Sequence, residues 1–455
     1  MKEGVENMRI DRLYIKNFKG FTERTLDFHP SFNLIVGDNG EGKTSVLDAL
    51  SVAVGSWFLG ISGYKSRVIQ LDEAHIKTRF LDKKFEPTPQ YPVVISAHGC
   101  VQGMEMDWTR SVENVGRSTT YKGALNIKAM AESVAEAVMH GEPVTLPVIS
   151  YYGAGRLWQE PRDMGTQDAN LKKLRLAPQD FANDKEVDDS KTFSSRLVGY
   201  RFSTDPRCSP RDLIKWMRHE RRIELDEEIK STGFRLVLDA IKICLPGHEK
   251  VRYSIRNHSL MLDIPDRGIV AFNNLSDGYR NIVAMVGDLA YKISQLNPHL
   301  ENKALKETPG VVLIDELDLH LHPKWQRLVI EALRRTFPKI QFFCTTHSPF
   351  LIQTLRTSEE LVMLEGRPTD ELNNLGIEAI AAGIMGVPDT ETSPRYMKML
   401  NDARAYLAEL DEAAKAPKDR LAEYERQLAA HIAPYPDNPA FQAVLEAEKK
   451  YKLGK

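Results

Sequence analysis

The chain has 455 residues, long enough for two or three domains that each bury a core. Its 42% hydrophobic and 27% charged content is that of a globular protein, and no stretch reaches the ~20 consecutive apolar residues that would span a bilayer. A formal net charge of -2 excludes nucleic-acid binding over the whole surface and leaves only local patches for it.

Cys100, Cys208, Cys244 and Cys344 stand apart with no Cys-x-x-Cys spacing. That argues against a disulfide framework or a zinc site and fits a reducing, cytoplasmic location. The first residues, MKEGVENMRIDRLYIKNF, contain acids and no apolar core, so they do not read as a signal peptide.

Residues 9–18 alternate apolar and polar side chains as a half-buried strand does, and Leu26-Asp27-Phe28 is its expected short hairpin partner. Residues 32–36 form a buried apolar strand that runs straight into Gly37-Asp38-Asn39-Gly40-Glu41-Gly42-Lys43-Thr44-Ser45. Val46, Leu47, Leu50 and Val54 then recur at helical spacing. Strand, glycine loop and helix together are the context of a phosphate-binding loop. Gly37 and Gly42 free the backbone to wrap a polyphosphate, so that successive amides face its oxygens. Lys43 is placed to reach the β- and γ-phosphates, and Thr44 to offer its hydroxyl to magnesium.

Residues 91–97 and 103–109 read as strands of an antiparallel lobe, and residues 144–152 as a buried strand ending in Gly153-Ala154-Gly155-Arg156. A polar, irregular stretch over 160–195 opens an insertion. Ser209-Pro210-Arg211-Asp212 caps a helix within it, and a second helix follows over 232–245. Residues 251–264 alternate as a hairpin.

Asn274-Leu275-Ser276-Asp277-Gly278-Tyr279-Arg280 precedes a long helix, which sets Ser276 and Gly278 at a helix N-terminus suited to a phosphate; a plain helix cap is the simpler alternative. Residues 311–316, Val-Val-Leu-Ile-Asp-Glu, are an apolar strand ending in paired carboxylates. Burying such a pair costs several kcal/mol unless a cation compensates it. Asp315 is therefore expected to hold magnesium and Glu316 to polarise the attacking water as general base. Residues 341–346 form another buried strand ending in His347, Ser348 and Pro349. Beyond residue 360 the composition shifts to Ala, Glu, Lys and Leu. Leu400, Ala403, Leu407 and Leu410 share one helical face, as do Leu421, Tyr424 and Leu428, so an antiparallel helix pair and a last short helix are expected.

In this order the motifs resemble the ABC-type ATPase heads of the SMC, RecF and OLD groups. The expected fold is α/β: an ABC-type (SMC/RecF-like) P-loop head with a helical insertion and a C-terminal helical extension. Residues 1–159 would form an N-lobe, 160–250 a mainly helical insertion, 251–360 a C-lobe and 361–455 a helical region for docking a partner. The resemblance implies that ATP with Mg2+ lies between two protomers. Ser276 and Gly278, which resemble the ABC-type signature motif, would then act in trans, Asp318 would cross the seam as D-loop, and His347 would sense the γ-phosphate beside Lys43 and Glu316. The Gln-loop is expected within residues 152–159, with Gln159 at the late end of that region. At Asp277 the ABC pattern has glycine, and an extra carboxylate there is expected to weaken closure.

Pro147-Val-Ile-Ser-Tyr-Tyr-Gly-Ala-Gly-Arg156, Leu-Ser-Asp-Gly-Tyr-Arg280 and Tyr-Pro-Asp-Asn-Pro439 narrow the resemblance to the PtuA-type ATPases of Septu antiphage systems and their retron-attached relatives. That implies a homodimer at least, and control of an HNH-type nuclease (PtuB-like) through the C-terminal helices. Two alternatives stay open. One is a RecF-like DNA clamp that grips phosphates through Arg196, Arg201, Arg207, Arg211, Lys215, Arg218, Arg221 and Arg222 with Phe202 and Trp216; the other is a sensor ATPase guarding a toxin that is not a nuclease. Leu361 to Gly366 imitates the opening strand of a Toprim nuclease, yet no Asp-x-Asp follows it.

Overall fold

The computed structural model describes residues 8–81, 84–156, 195–207, 210–245, 250–264, 267–365, 375–387, 393–415, 421–435 and 438–453. Gln159, Cys208, Ser209, the irregular stretch up to residue 194 and the Ala416-Pro417 break lie outside them. The chain divides into two units, Met1–Ile380 and Ala381–Lys455.

In the first unit, β1 (Met8–Phe18) alternates buried and half-buried side chains, because one of its faces meets the core. It pairs antiparallel with β2 (Phe21–Asp27) on one side and with β6 (Val93–Val101) on the other; β7 (Met104–Val112) extends this sheet beyond β6. A separate ribbon joins β4 (Ile76–Leu81) to β5 (Lys84–Pro89). The second sheet is parallel. Its order is β14 (Leu361–Met363), β3 (Phe32–Val36), β13 (Ile340–Thr345), β12 (Gly310–Ile314) and β8 (Val148–Tyr152). Every residue of β3, β8, β12 and β13 is buried, as expected of parallel strands covered on both faces. Gln341 on β13 joins the two sheets: its amide accepts from Ile10 N and donates to Ile10 O, both at 2.8 Å. A third sheet holds β9 (Val251–Ser254), β10 (Ser259–Ile264) and β11 (Gly268–Ala271), one strand more than the expected hairpin.

Leu361–Met363 corrects a sequence boundary. Placed with the C-terminal region from composition, it is the edge strand of the parallel sheet, with Leu361 beside Leu34 and Met363 beside Val36. The apolar triplet that imitates a Toprim strand is therefore part of the head.

The described part of the insertion is helical. Helices Pro210–Asp226 and Thr232–Cys244 pack on the long helix Asp277–Leu296; a Cβ added at Gly287 would meet Leu213 at 2.6 Å and Ile241 at 3.4 Å. In the second unit, helices Pro394–Ala413, Leu421–Ile432 and Pro439–Leu453 bury Tyr406, Leu410, Leu428 and Leu445 together. Among the described residues no helix is long and apolar enough to cross a membrane.

Candidate nucleotide site

The parallel register brings the carboxyl ends of β3, β13 and β12 side by side, the edge at which open α/β sheets bind ligands. The loop Gly37–Gly42 leaves β3 and enters α1 (Lys43–Val54). Gly42 has φ +98°, and a Cβ there would also meet the Phe21 ring at 2.8 Å, so glycine is required twice over. Glu41 braces the loop by accepting from Asp38 N at 2.7 Å. Asp38, Asn39 and Gly40 are exposed at its tip, and Ser45 is half-buried on the first turn of α1. Lys43 is 8% exposed, and its ammonium donates to the carbonyls of Gly37 at 2.7 Å and Asp38 at 2.9 Å. Burial lowers its pKa from the ordinary lysine value, while the charges of Glu41, Asp38, Asp315 and Glu316 act to raise it. A desolvated cation held by loop carbonyls gains from an arriving polyphosphate, and in that respect the loop fits a nucleotide.

Asp315 and Glu316 directly follow β12. Thr44 Oγ1 lies 3.3 Å from Asp315 Oδ1 and 3.1 Å from Oδ2, although the two residues are far apart in sequence. A hydroxyl facing a carboxylate that is 6% exposed supplies the oxygen ligands a hard divalent cation takes. Thr345, which motif reading overlooked, orients both acids. Its hydroxyl donates to Asp315 Oδ1 at 2.6 Å and accepts from Glu316 N at 2.8 Å. The signal for it was a polar β-branched residue ending an otherwise apolar strand. Glu316 has φ +50°, a left-handed backbone that costs about 1–3 kcal/mol unless its surroundings hold it.

His347 is exposed at the end of this edge, one residue beyond Thr346, whose backbone N–H donates to Ile35 O at 3.3 Å. Thr346 Oγ1 also donates to Asp318 Oδ1 at 2.6 Å, and Ser348 Oγ donates to Gln326 Oε1 at 2.6 Å. The histidine segment is thus tied to the turn that follows Glu316.

Ser276 and Gly278 lie elsewhere. Their helix begins against the Asp318–Leu321 turn, where a Cβ at Gly278 would come within 2.3 Å of His320 O. Ser276 is exposed at the N-cap position, and its side chain makes no capping hydrogen bond. At Asp277, the acid expected to weaken closure, Arg280 forms an ion pair with the carboxylate one turn along the helix.

Of the eight basic residues proposed to grip DNA, Arg196, Arg207 and Arg221 have polar partners within the chain. Arg196 donates to the carbonyls of Leu296 and Glu142, Arg207 pairs with Asp205, and Arg221 pairs with Glu224. Trp216 packs against Tyr291 with ring centroids 4.8 Å apart and the planes tilted by 51°, and Arg201 lies over its neighbour Phe202.

Comparison with known proteins agrees with this geometry. A family model described as "AAA domain, putative AbiEii toxin, Type IV TA system" matches residues 165–353, and an AAA domain model matches residues 12–232. The chain is 24% identical over 392 residues to the Retron Vc95 probable ATPase of Vibrio cholerae serotype O1 biovar El Tor, covering 78% of this chain and 73% of that protein. It is 25% identical over 460 residues to the Septu protein PtuA of Bacillus thuringiensis, covering 94% of this chain and 95% of the relative. With the Septu protein PtuA of Bacillus mycoides (strain KBAB4) identity is 31% over 440 residues, 92% of this chain and 51% of the relative. The chain is an ATP-hydrolysing enzyme with an α/β P-loop head, similar along most of its length to the Septu PtuA proteins and the retron ATPases.

Proposed function

We propose that this ATPase is the regulatory subunit of a bacterial antiphage defence complex and that it controls an HNH-type nuclease in the cytoplasm. The observation that carries this reading is the extent of the match to Septu PtuA, which covers 94% of this chain and so more than the ATPase head alone. A DNA clamp has less support, since Arg196, Arg207 and Arg221, three of the eight basic residues named for it, bond within the chain.

In this reading two copies face each other and hold ATP between the Gly37–Ser45 loop of one and Ser276 with Gly278 of the other. Lys43 binds the β- and γ-phosphates. Thr44 and Asp315 hold Mg2+, which when bound offsets charge on the phosphate oxygens. Glu316 accepts the proton of the attacking water, and His347 orients the γ-phosphate. Asp318 runs along the seam. Closure and reopening of the dimer then restrain or release the nuclease, which residues 395–455 carry.

The docking test is deletion of residues 395–455, followed by co-purification with an HNH protein encoded beside the gene. The truncated protein should still hydrolyse ATP and should lose the partner. A truncated, ATP-hydrolysing protein that still retains the nuclease would reject the docking site.

A further inference from the structure

Strand β8 and the Asp277–Leu296 helix are joined by a row of polar contacts. Lys292 Nζ donates to Ser150 Oγ at 3.2 Å, the Tyr152 hydroxyl donates to Asp288 Oδ2 at 2.7 Å, and Arg156 Nε donates to Asn281 Oδ1. Residues 281, 288 and 292 share one helical face, being separated by whole turns. The row runs toward the end of the helix that carries Ser276 and Gly278, and toward the end of β8 that lies beside Asp315.

Arg156 does most at that end. It is 2% exposed, and its fork also donates from Nη1 to Gly153 O at 3.0 Å and Asp315 O at 2.7 Å, and from Nη2 to Glu316 O at 3.2 Å. Asn281 in turn donates from Nδ2 to Leu319 O at 3.3 Å, within the turn after Glu316. Planar donors in a fixed fork match several carbonyls at once, which a flexible ammonium cannot reproduce. Glu316 needs such a hold, because its left-handed backbone would otherwise relax and re-aim the carboxylate.

We propose that Arg156 is a positioning residue for hydrolysis: it fixes Glu316 through the backbone, and through Asn281 it makes that hold depend on how the signature helix is seated. A protomer's own catalytic carboxylate then reports whether its Ser276–Gly278 end is engaged. The inference rests on the reading of Glu316 as general base.

The test uses full-length protein. Steady-state ATP turnover, trinitrophenyl-ATP affinity and melting temperature are measured for Arg156→Lys, Asn281→Leu, Asn281→Asp and Glu316→Gln. Arg156→Lys should keep its affinity for the analogue while kcat falls about 10²-fold, the scale of a misplaced catalytic group. Asn281→Leu should fall in the same direction. Asn281→Asp, which still offers Arg156 an acceptor, should recover most of the rate lost in Asn281→Leu. Wild-type turnover in Arg156→Lys and Asn281→Leu, with Glu316→Gln inactive, would overturn the inference alone. So would parallel losses of turnover, affinity and melting temperature, which mark a purely structural role. Wild-type turnover in Glu316→Gln would instead remove the base assignment. If Arg156→Lys does not fold, the two Asn281 variants decide the matter.

Discussion

Asp277 is a residue whose effect on the site depends on its neighbours. A carboxylate beside a triphosphate repels it, and from sequence this position argued for weak closure. One turn along, Arg280 supplies the opposite charge, so the pair brings no net charge to the helix N-terminus. Arg280→Met should therefore raise KM for ATP severalfold, and adding Asp277→Gly should restore it. An unchanged KM in Arg280→Met would show that Asp277 needs no compensation. The glycine loop, Lys43, the paired acids and His347 could be picked out from sequence because each lies within a few residues of the end of its own apolar strand, β3, β12 or β13. Thr345, Arg156 and Asn281 were not, since their partners are brought to them only by the parallel sheet and the long helix.

At the scale of elements, apolar runs and periodicity located the strands of the parallel sheet to within a few residues. They did not give the order of those strands. Leu361–Met363 is the clearest case: too short and too close to a change in composition to be assigned, it is placed only by its pairing with β3. The C-terminal helices differ from expectation in a similar way. Leu410 and Leu428 lie in the shared core as their spacing implied, but Tyr406 and Leu445 join them because the last helix also packs there. Leu410→Ala removes buried methyl groups at a cost of about 2–5 kcal/mol, so limited proteolysis within residues 381–455 should accelerate while ATP turnover is retained. Unchanged proteolysis would show that this cluster does not hold the unit together.

For the whole molecule, the central claim is that each ATP is enclosed by two copies of the chain. The nearest atoms to a Cβ at Gly278 belong to its own His320 and Leu321, in the turn that follows Glu316. Mixed assemblies test that claim most directly. Lys43→Ala lacks a working phosphate loop and Ser276→Arg lacks a working signature, so each alone should be inactive. Co-expressed with different tags and purified through both, they would form dimers with one intact composite site, pairing the Ser276→Arg chain's loop with the Lys43→Ala chain's signature. The account predicts that ATP hydrolysis reappears in these mixed dimers. Mixed dimers as inactive as either parent would contradict it.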